Sequence, residues 1–404
     1  MRSLTALAVV VLAAGCASAG TPRLGPTVQV PQDVGTIQEA VDRAADGATV
    51  VVSPGVYKES VQIRTPNLVL RGKSRGEVVI DGEVRRANGI VVTAPNVTVE
   101  NLTVRNHTLN GVLVTGLSES GGMGRGSQGY QKLDPQKFPP LQGFRVAYVT
   151  ASNNALYGIY AFDAQHGVIE QSYASGSADS GFYVGQCKPC DVVVRDNVAE
   201  RNAVGYEGTN ASGQMFVLGN RFVGNRVGMT SNSDYQEALV PQTDATFVGN
   251  LVAANAEAMS PAQADGAFGL GVGIAGGTKN LLSRNLITGN PGMGLALGSS
   301  EDMPPVDNRF AGNVITGNGT DVVYAASTRA PGSGNCFDDG KCFSGPGVVL
   351  PRAAAPRGIP FNQVVAPPPQ PEMPSGEAKP RDPRVDSYSV PSADLLADRA
   401  AVQL

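Results

Sequence analysis

Apolar residues in this chain come in runs of three to five, mostly Val, Ile, Leu, Phe and Tyr, separated by polar turns. Runs this short predict strands rather than helices. From residue 195 the pattern repeats itself. "RDNVAERNAVGYEG" (195–208) is followed by "LGNRFVGNRVGMTS" (218–231), "VGNLVAANAE" (248–257), "SRNLITGNPGMGLAL" (283–297) and "AGNVITGNGTD" (311–321). Each copy reads Asn, four residues, Asn: Asn197/Asn202, Asn220/Asn225, Asn250/Asn255, Asn285/Asn290 and Asn313/Asn318. "ENLTVRNHTLNGVLV" (100–114) reads as an earlier copy with Asn101/Asn106. Steps of 23 to 35 residues between copies predict a solenoid. Several short strands per turn make it an all-β parallel β-helix. The Asn residues are expected to take left-handed turn conformations and to hydrogen-bond the next rung.

A Gly opens one strand of each rung: "GIYAFDA" (158–164), "GFYVGQC" (181–187), "GYEGTNA" (205–211), "GMTSNSD" (228–234), "GIAGGTK" (273–279) and "GLALGSS" (294–300). Strand side chains alternate between faces. Ile159, Phe182, Tyr206, Met229, Ile274 and Leu295 are predicted to stack inward. Tyr160, Tyr183, Glu207, Thr230, Ala275 and Ala296 are predicted to stack outward. Loops at 116–142, 232–243, 256–270 and 299–306 interrupt the ladder and are expected to wall one face.

The start of the repeat has its own cap. Thr36-Ile-Gln-Glu39 reads as a capping box, Ile37, Val41 and Ala44/Ala45 form an apolar stripe, and Asp46-Gly47 ends the helix. Such a helix covers the open first rung of a solenoid. Before it, Met1-Arg2-Ser3 and the apolar residues 4–14 resemble an export signal, too short to span a bilayer. "LAAGC" resembles a bacterial lipobox, which implies lipidation at Cys16 and an anchor in the membrane; cleavage after Ala17 or Ala19 is the alternative. The domain reading is a signal peptide at 1–15, a tether at 16–30, the β-helix at 31–350 and a Pro-rich disordered tail at 351–404.

Composition then narrows function. A net charge of −4 gives no electrostatic basis for nucleic acid binding. Two His, His107 and His166, exclude a multi-His metal site. Trp is absent and aromatics are 6%, which weakens sugar-stacking platforms, although 11 Tyr remain. Export permits disulfides. Beyond Cys16 there are Cys187, Cys190, Cys336 and Cys342, for which three pairings exist. Rungs far apart cannot bring Cys187 to Cys336, so 187–190 and 336–342 are predicted.

"GTIQEAVDRAADGATVVVSPGVYKESVQI" with "LVLRGKSRGEVVIDG" resembles the opening of right-handed parallel β-helix proteins of the pectate-lyase-like superfamily, including pectin esterases and NosD-type periplasmic proteins. The resemblance covers roughly residues 28–345 and implies the right-handed fold, with unrelated chemistries possible on it. The Asp-Pro-His-Asp motif of alginate epimerases is missing: "LDPQK" (133–137) has Asp-Pro alone. The pectin esterase set has no counterpart either.

Candidate chemistry lies on the outward face. Glu207, Asp163 and Tyr183 are the candidate catalytic groups, and Tyr160, Gln186, Asn210, Thr230 and Asn232 the candidate substrate contacts. Phenol rings suit sugar faces, and amides and carboxylates suit hydroxyls. The ordinary alternative is a solvated sheet face. Asp163 and Glu207 stand roughly 14 Å apart on this alignment, beyond the 5–9.5 Å of a glycosidase pair. A loop acid such as Asp179, Asp234, Asp265 or Asp302 is therefore needed as partner. "FDAQHG" (162–167) pairs Asp163 with His166 as an acid/His constellation, and "CFDDGKC" (336–342) is a calcium-friendly turn, a thin basis for a metal. No cofactor is expected. The reading is an exported, lipid-anchored monomer that binds or processes extracellular or cell-wall polysaccharide, as a lyase, epimerase or glycoside hydrolase if it is an enzyme. The alternative is a non-enzymatic accessory scaffold of the NosD kind that offers its loops to a protein partner.

Overall fold

The computed structural model describes residues 23–117, 136, 138–263, 266–350, 355–375, 384–392 and 394. Three parallel ladders of short strands run along one axis. The first climbs from Thr27–Val30 through Thr49–Val52 and Val192–Arg195 to Gly332–Phe337. The second runs from Gly55–Tyr57 through Tyr173–Ser175 to Val314–Thr316. The third, from Val61–Ile63 to Thr320–Ala325, carries the candidate residues. Long strands Val97–Arg105 and Leu141–Ser152 run through the corner between the first two.

The interior is a stack of side chains. Ile159, Phe182, Tyr206 and Met229 align rung on rung, as predicted, and are buried. The next neighbour of Met229 is Val272, which pairs with Leu295, so Ile274 does not belong to that column. Gly269, Gly271 and Gly273 alternate in "GLGVGIAG", and the opening Gly is Gly271. A Cβ there would sit 2.6 Å from the Gly294 carbonyl oxygen and 2.7 Å from Asn290 Nδ2. The slip is two residues, so both Val272 and Ile274 still face inward.

Two asparagine ladders staple the corners. Asn197, Asn220, Asn250, Asn285 and Asn313 form one, each Nδ2 donating to the next Oδ1 at 2.9–3.0 Å. Asn202, Asn225, Asn255, Asn290 and Asn318 form the other, at 2.9–3.2 Å. The left-handed conformation belongs to the residue before each Asn, not to the Asn itself: Asp196, Gly219 and Gly249 on one ladder, Arg201, Gly224 and Ala254 on the other. Asn101 and Asn106 lie outside both ladders. They are themselves left-handed and bond Gly72 O and Asp81 instead. A third ladder, Asn280, Asn308 and Asn335, lies outside the predicted pairs, although Asn280 and Asn308 stand five residues before Asn285 and Asn313.

Thr36 caps a helix over Ile37–Arg43, its Oγ1 accepting from Glu39 N at 3.1 Å. The helix stops at Arg43, short of Asp46-Gly47. Its buried Ile37, Ala40 and Val41 cover the first rungs. Thr27–Val30, within the stretch read as tether, is already a rung paired with Thr49–Val52.

The expected disordered tail is corrected most. Its described residues lie against the β-helix. Asn153 Nδ2 donates to the carbonyls of Phe361 (2.9 Å) and Val364 (2.8 Å). Arg284 bonds the carbonyls of Val385 and Tyr388. Val385 and Tyr388 cover Val193, Leu218 and Val248 on the outer face of the first ladder. Proline content removed N–H donors that would need partners, so composition alone did not reveal the docking.

Cys187–Cys190 and Cys336–Cys342 are both disulfides. They fit an exported protein. Among the described residues, no helix is long and apolar enough to cross a membrane. Cys16 and the signal segment lie outside the described residues, as do Asp134 of "LDPQK" and Asp265.

Candidate functional site

The third ladder sets the outward column. Leu113, Tyr160, Tyr183, Glu207 and Thr230 stack in register, followed by Gly273 and Ala296. Ala275 therefore leaves the predicted column and pairs with Asn232 instead.

The N-terminal half of this column is not open. Tyr160 is 5% and Tyr183 2% exposed, packed with Leu113, Leu117, Tyr157 and Phe162. Ring centroids of Tyr157, Tyr160 and Tyr183 stand 4.3–4.9 Å apart. Their faces meet one another, so neither predicted tyrosine offers a free platform. Leu117 and Phe138, at the two ends of the 116–142 loop, close over them.

The 232–243 loop folds onto the next rungs. Asn210 Nδ2 donates to Asp234 O at 2.8 Å and its Oδ1 accepts from Asp234 N at 3.0 Å. Gln186 Oε1 accepts from Ala238 N at 3.1 Å. Tyr183 OH donates to Glu237 Oε1 at 2.5 Å. Gln186, Asn210 and Tyr183 thus hold the loop. Thr230 and Asn232 are half-buried, and Thr230 Oγ1 has no hydrogen-bond partner. Burial pushes the Glu237 carboxyl up to about 8, so it is mostly neutral at pH 7.

Glu207 finds its acidic partner one rung back, in Asp179. Both are half-buried, and their carboxyls hydrogen-bond each other. Ser180 Oγ lies between them, 2.6 Å from Glu207 Oε2 and 3.2 Å from Asp179 Oδ1. Thr209 Oγ1 is 3.4 Å from Glu207 Oε1, and Gln263 Nε2 and the Tyr157 hydroxyl bond Asp179. Two carboxyls in direct contact need a proton between them. Burial, then the charge of Asp179, raises Glu207; burial raises Asp179.

Asp179 was one of the loop acids named from sequence. Glu237 and Gln263 were missed, because aperiodic loops place them. Asp163 does not join the pair. It is buried at a left-handed corner, bonded to Gln186, and burial raises it to about 6. Its Oδ2 has no hydrogen-bond partner. His166 turns the other way and bonds Asp191 through Nδ1 at 2.6 Å, so the Asp163/His166 constellation does not form. In the acidic turn, Asp338 Oδ2 accepts from Gly312 N and Asp339 pairs with Lys341, so the two carboxylates diverge. No group of three His, Cys, Asp or Glu among the described residues is placed to hold a metal ion. On the same face as the acid pair, toward the N-terminal rungs, lies a cleft of about 420 Å³ lined by Gln38, Asp42, Gln62, Arg64, Asn88, Val91, Leu113 and Thr115 among others.

No curated protein sequence matches the chain. Among solved structures, the chain is similar to the A-module of a mannuronan C-5 epimerase, AlgE6, of Azotobacter vinelandii, with 17% identity, 75% of this chain and 86% of that chain covered, and a TM-score of 0.48. The catalytic unit of a GH87 alpha-1,3-glucanase of Streptomyces thermodiastaticus gives 16%, 79%, 64% and 0.48. The pectate lyase Pel9A gives 11%, 78%, 78% and 0.40. The family model described as right handed beta helix region matches residues 142–315, and with its three parallel ladders the chain is a right-handed parallel β-helix.

Proposed function

We propose that this protein binds or processes a carbohydrate polymer outside the cytoplasm, with the Asp179–Glu207 pair as its acting group. What supports this reading most is the contact between those half-buried carboxyls, bridged by Ser180 Oγ, on the face where the loops lie. Amides, a carboxylate, a guanidinium and apolar side chains line the cleft at the Leu113 rung of the same face, beyond the Tyr160 and Tyr183 rungs, a mixture that suits sugar hydroxyls and C–H faces. Two carboxyls in hydrogen-bond contact are closer than the roughly 5–9.5 Å that separates the two carboxyls of retaining and inverting glycosidases. The pair therefore works as one acid/base unit: Glu207 transfers the proton and Asp179 sets its affinity. A glycan array with the intact protein, followed by turnover assays on every bound polymer, tests the reading. Glu207→Gln and Asp179→Asn should each lower turnover about 100-fold or more; unchanged turnover in both moves the chemistry elsewhere.

Lipidation at Cys16 would hold the protein at the membrane as a monomer. Label from a palmitate analogue should mark the wild type and vanish in Cys16→Ser.

A second reading, an accessory scaffold without chemistry, is favoured by the closed state of the strip. Tyr183, Gln186 and Asn210 already spend their polar groups on the 232–243 loop. An array on which no glycan is bound supports this reading over the first.

A further inference from the structure

The outer face of the second ladder holds a segment of the chain's own tail in a way that resembles a bound peptide rather than a rung. Residues 361–373 (FNQVVAPPPQPEM) pair with no strand of the β-helix. They are held by side chains that reach their backbone. Asn153 Nδ2 takes the carbonyls of Phe361 and Val364. Arg75, 2% exposed, takes the carbonyl of Pro371 at 3.0 Å. Asn101 Oδ1 accepts from Met373 N at 3.0 Å. The segment answers with Glu372, whose carboxylate accepts from Ser74 Oγ at 2.9 Å and Arg75 N at 2.7 Å. Val364 is the apolar anchor, 5% exposed. Between the anchor and the acid, Pro367–Pro369 bridge a cavity of about 410 Å³ lined also by Thr103, Arg105 and Asn106.

Three features define what this face accepts. Prolines have no N–H, so a run of them leaves only carbonyls to satisfy, and the face presents an amide and a guanidinium for carbonyls on either side of the run. A proline run is pre-ordered as an extended helix, which lowers the entropy lost on docking. The backbone N–H of Arg75 and the Ser74 hydroxyl capture one carboxylate three residues beyond the run. We infer that this face is a peptide-binding groove specific for an extended proline-rich segment with an apolar anchor before the prolines and an acid after them, and that residues 361–373 fill it in cis.

Tail-side substitutions test this without touching the β-helix. In the full chain, Val364→Asp with Glu372→Lys removes the anchor and reverses the acid. Limited proteolysis should then cut within 355–375 at least 10-fold faster than in the wild type, with far-ultraviolet circular dichroism unchanged. A fluorescent peptide of residues 355–375 should bind this variant saturably and leave the wild type, whose groove is filled, unbound. Adding Asn153→Gly, which keeps the left-handed backbone and deletes the amide, should weaken peptide binding about 10-fold. Unchanged proteolysis, no peptide binding to the opened variant, or equal binding to both proteins would each overturn the inference.

Discussion

Tyr183 and Glu237 are 54 residues apart in sequence, and the phenol hydroxyl donates to the carboxyl at 2.5 Å beneath the 232–243 loop. The bond ties an outward residue of the sheet to a residue no periodicity places. Glu237 Oε2 has no hydrogen-bond partner. Tyr183→Phe leaves the whole buried carboxyl unpaired, which should cost about 1–3 kcal/mol. Hydrogen exchange should show faster opening at 234–241, with the core strands unaffected.

The same carboxyl sets a pH dependence. Its folded value, about 8, lies above the ordinary 4.5. Below about 4.5 both folded and unfolded states are protonated, and the neutral group's stabilisation is fully present. Between about 4.5 and 8 only the unfolded state loses the proton, so stability falls as pH rises through that window. Glu237→Gln cannot ionise. Its Tm should therefore fall less than the wild type's between pH 5 and pH 8.5, and parallel curves for the two proteins would contradict the burial of this group.

Much of this fold was legible because the solenoid repeats its physics. One Asn per corner per rung, with buried neighbours 23 to 35 residues away, leaves a period that the eye can find. The inward column followed from strand alternation at Phe182, Tyr206 and Met229, and failed at Ile274, where three glycines in alternation blurred the register. The site was legible only in part. Glu207 sits on a repeating strand and its outward direction could be read. Glu237, Gln263 and the closure of Leu117 and Phe138 over Tyr160 belong to insertions, whose path depends on tertiary contacts rather than on period. The tail was misread because Pro-rich composition describes how a segment behaves alone, while its docking depends on Asn153, Arg75 and Ser74 elsewhere in the chain.

The inward column should respond as a packed core. Phe182 is fully buried between Ile159 and Tyr206. Phe182→Ala should destabilise by about 3–5 kcal/mol in denaturant titration. A loss below 1 kcal/mol would mean that the rungs collapse freely around the cavity.

The asparagine ladder should be less tolerant than its polar composition suggests. Asn250 is fully buried, and its Oδ1 accepts two bonds from Asn220, from N and from Nδ2, both at 3.0 Å. Its Nδ2 gives two more, to Val217 O and Asn285 Oδ1 at 2.9 Å. Asn250→Ala leaves two buried N–H groups of Asn220 and the Val217 carbonyl without their partner, at about 1–3 kcal/mol for each group left unsatisfied, while Asn285 Oδ1 keeps its bond from the backbone N–H of residue 250. The expected loss rivals that of Phe182→Ala, although fewer carbon atoms are removed. Asn250→Asp separates hydrogen bonding from shape. A carboxylate keeps the acceptors for Asn220 but cannot donate to Val217 or Asn285, and burial would hold it protonated well above its usual range of ionisation. Its stability should approach the wild type's at pH 5 and drop steeply toward pH 8. A flat profile for Asn250→Asp would show that water reaches the ladder and that the staple is weaker than its geometry implies.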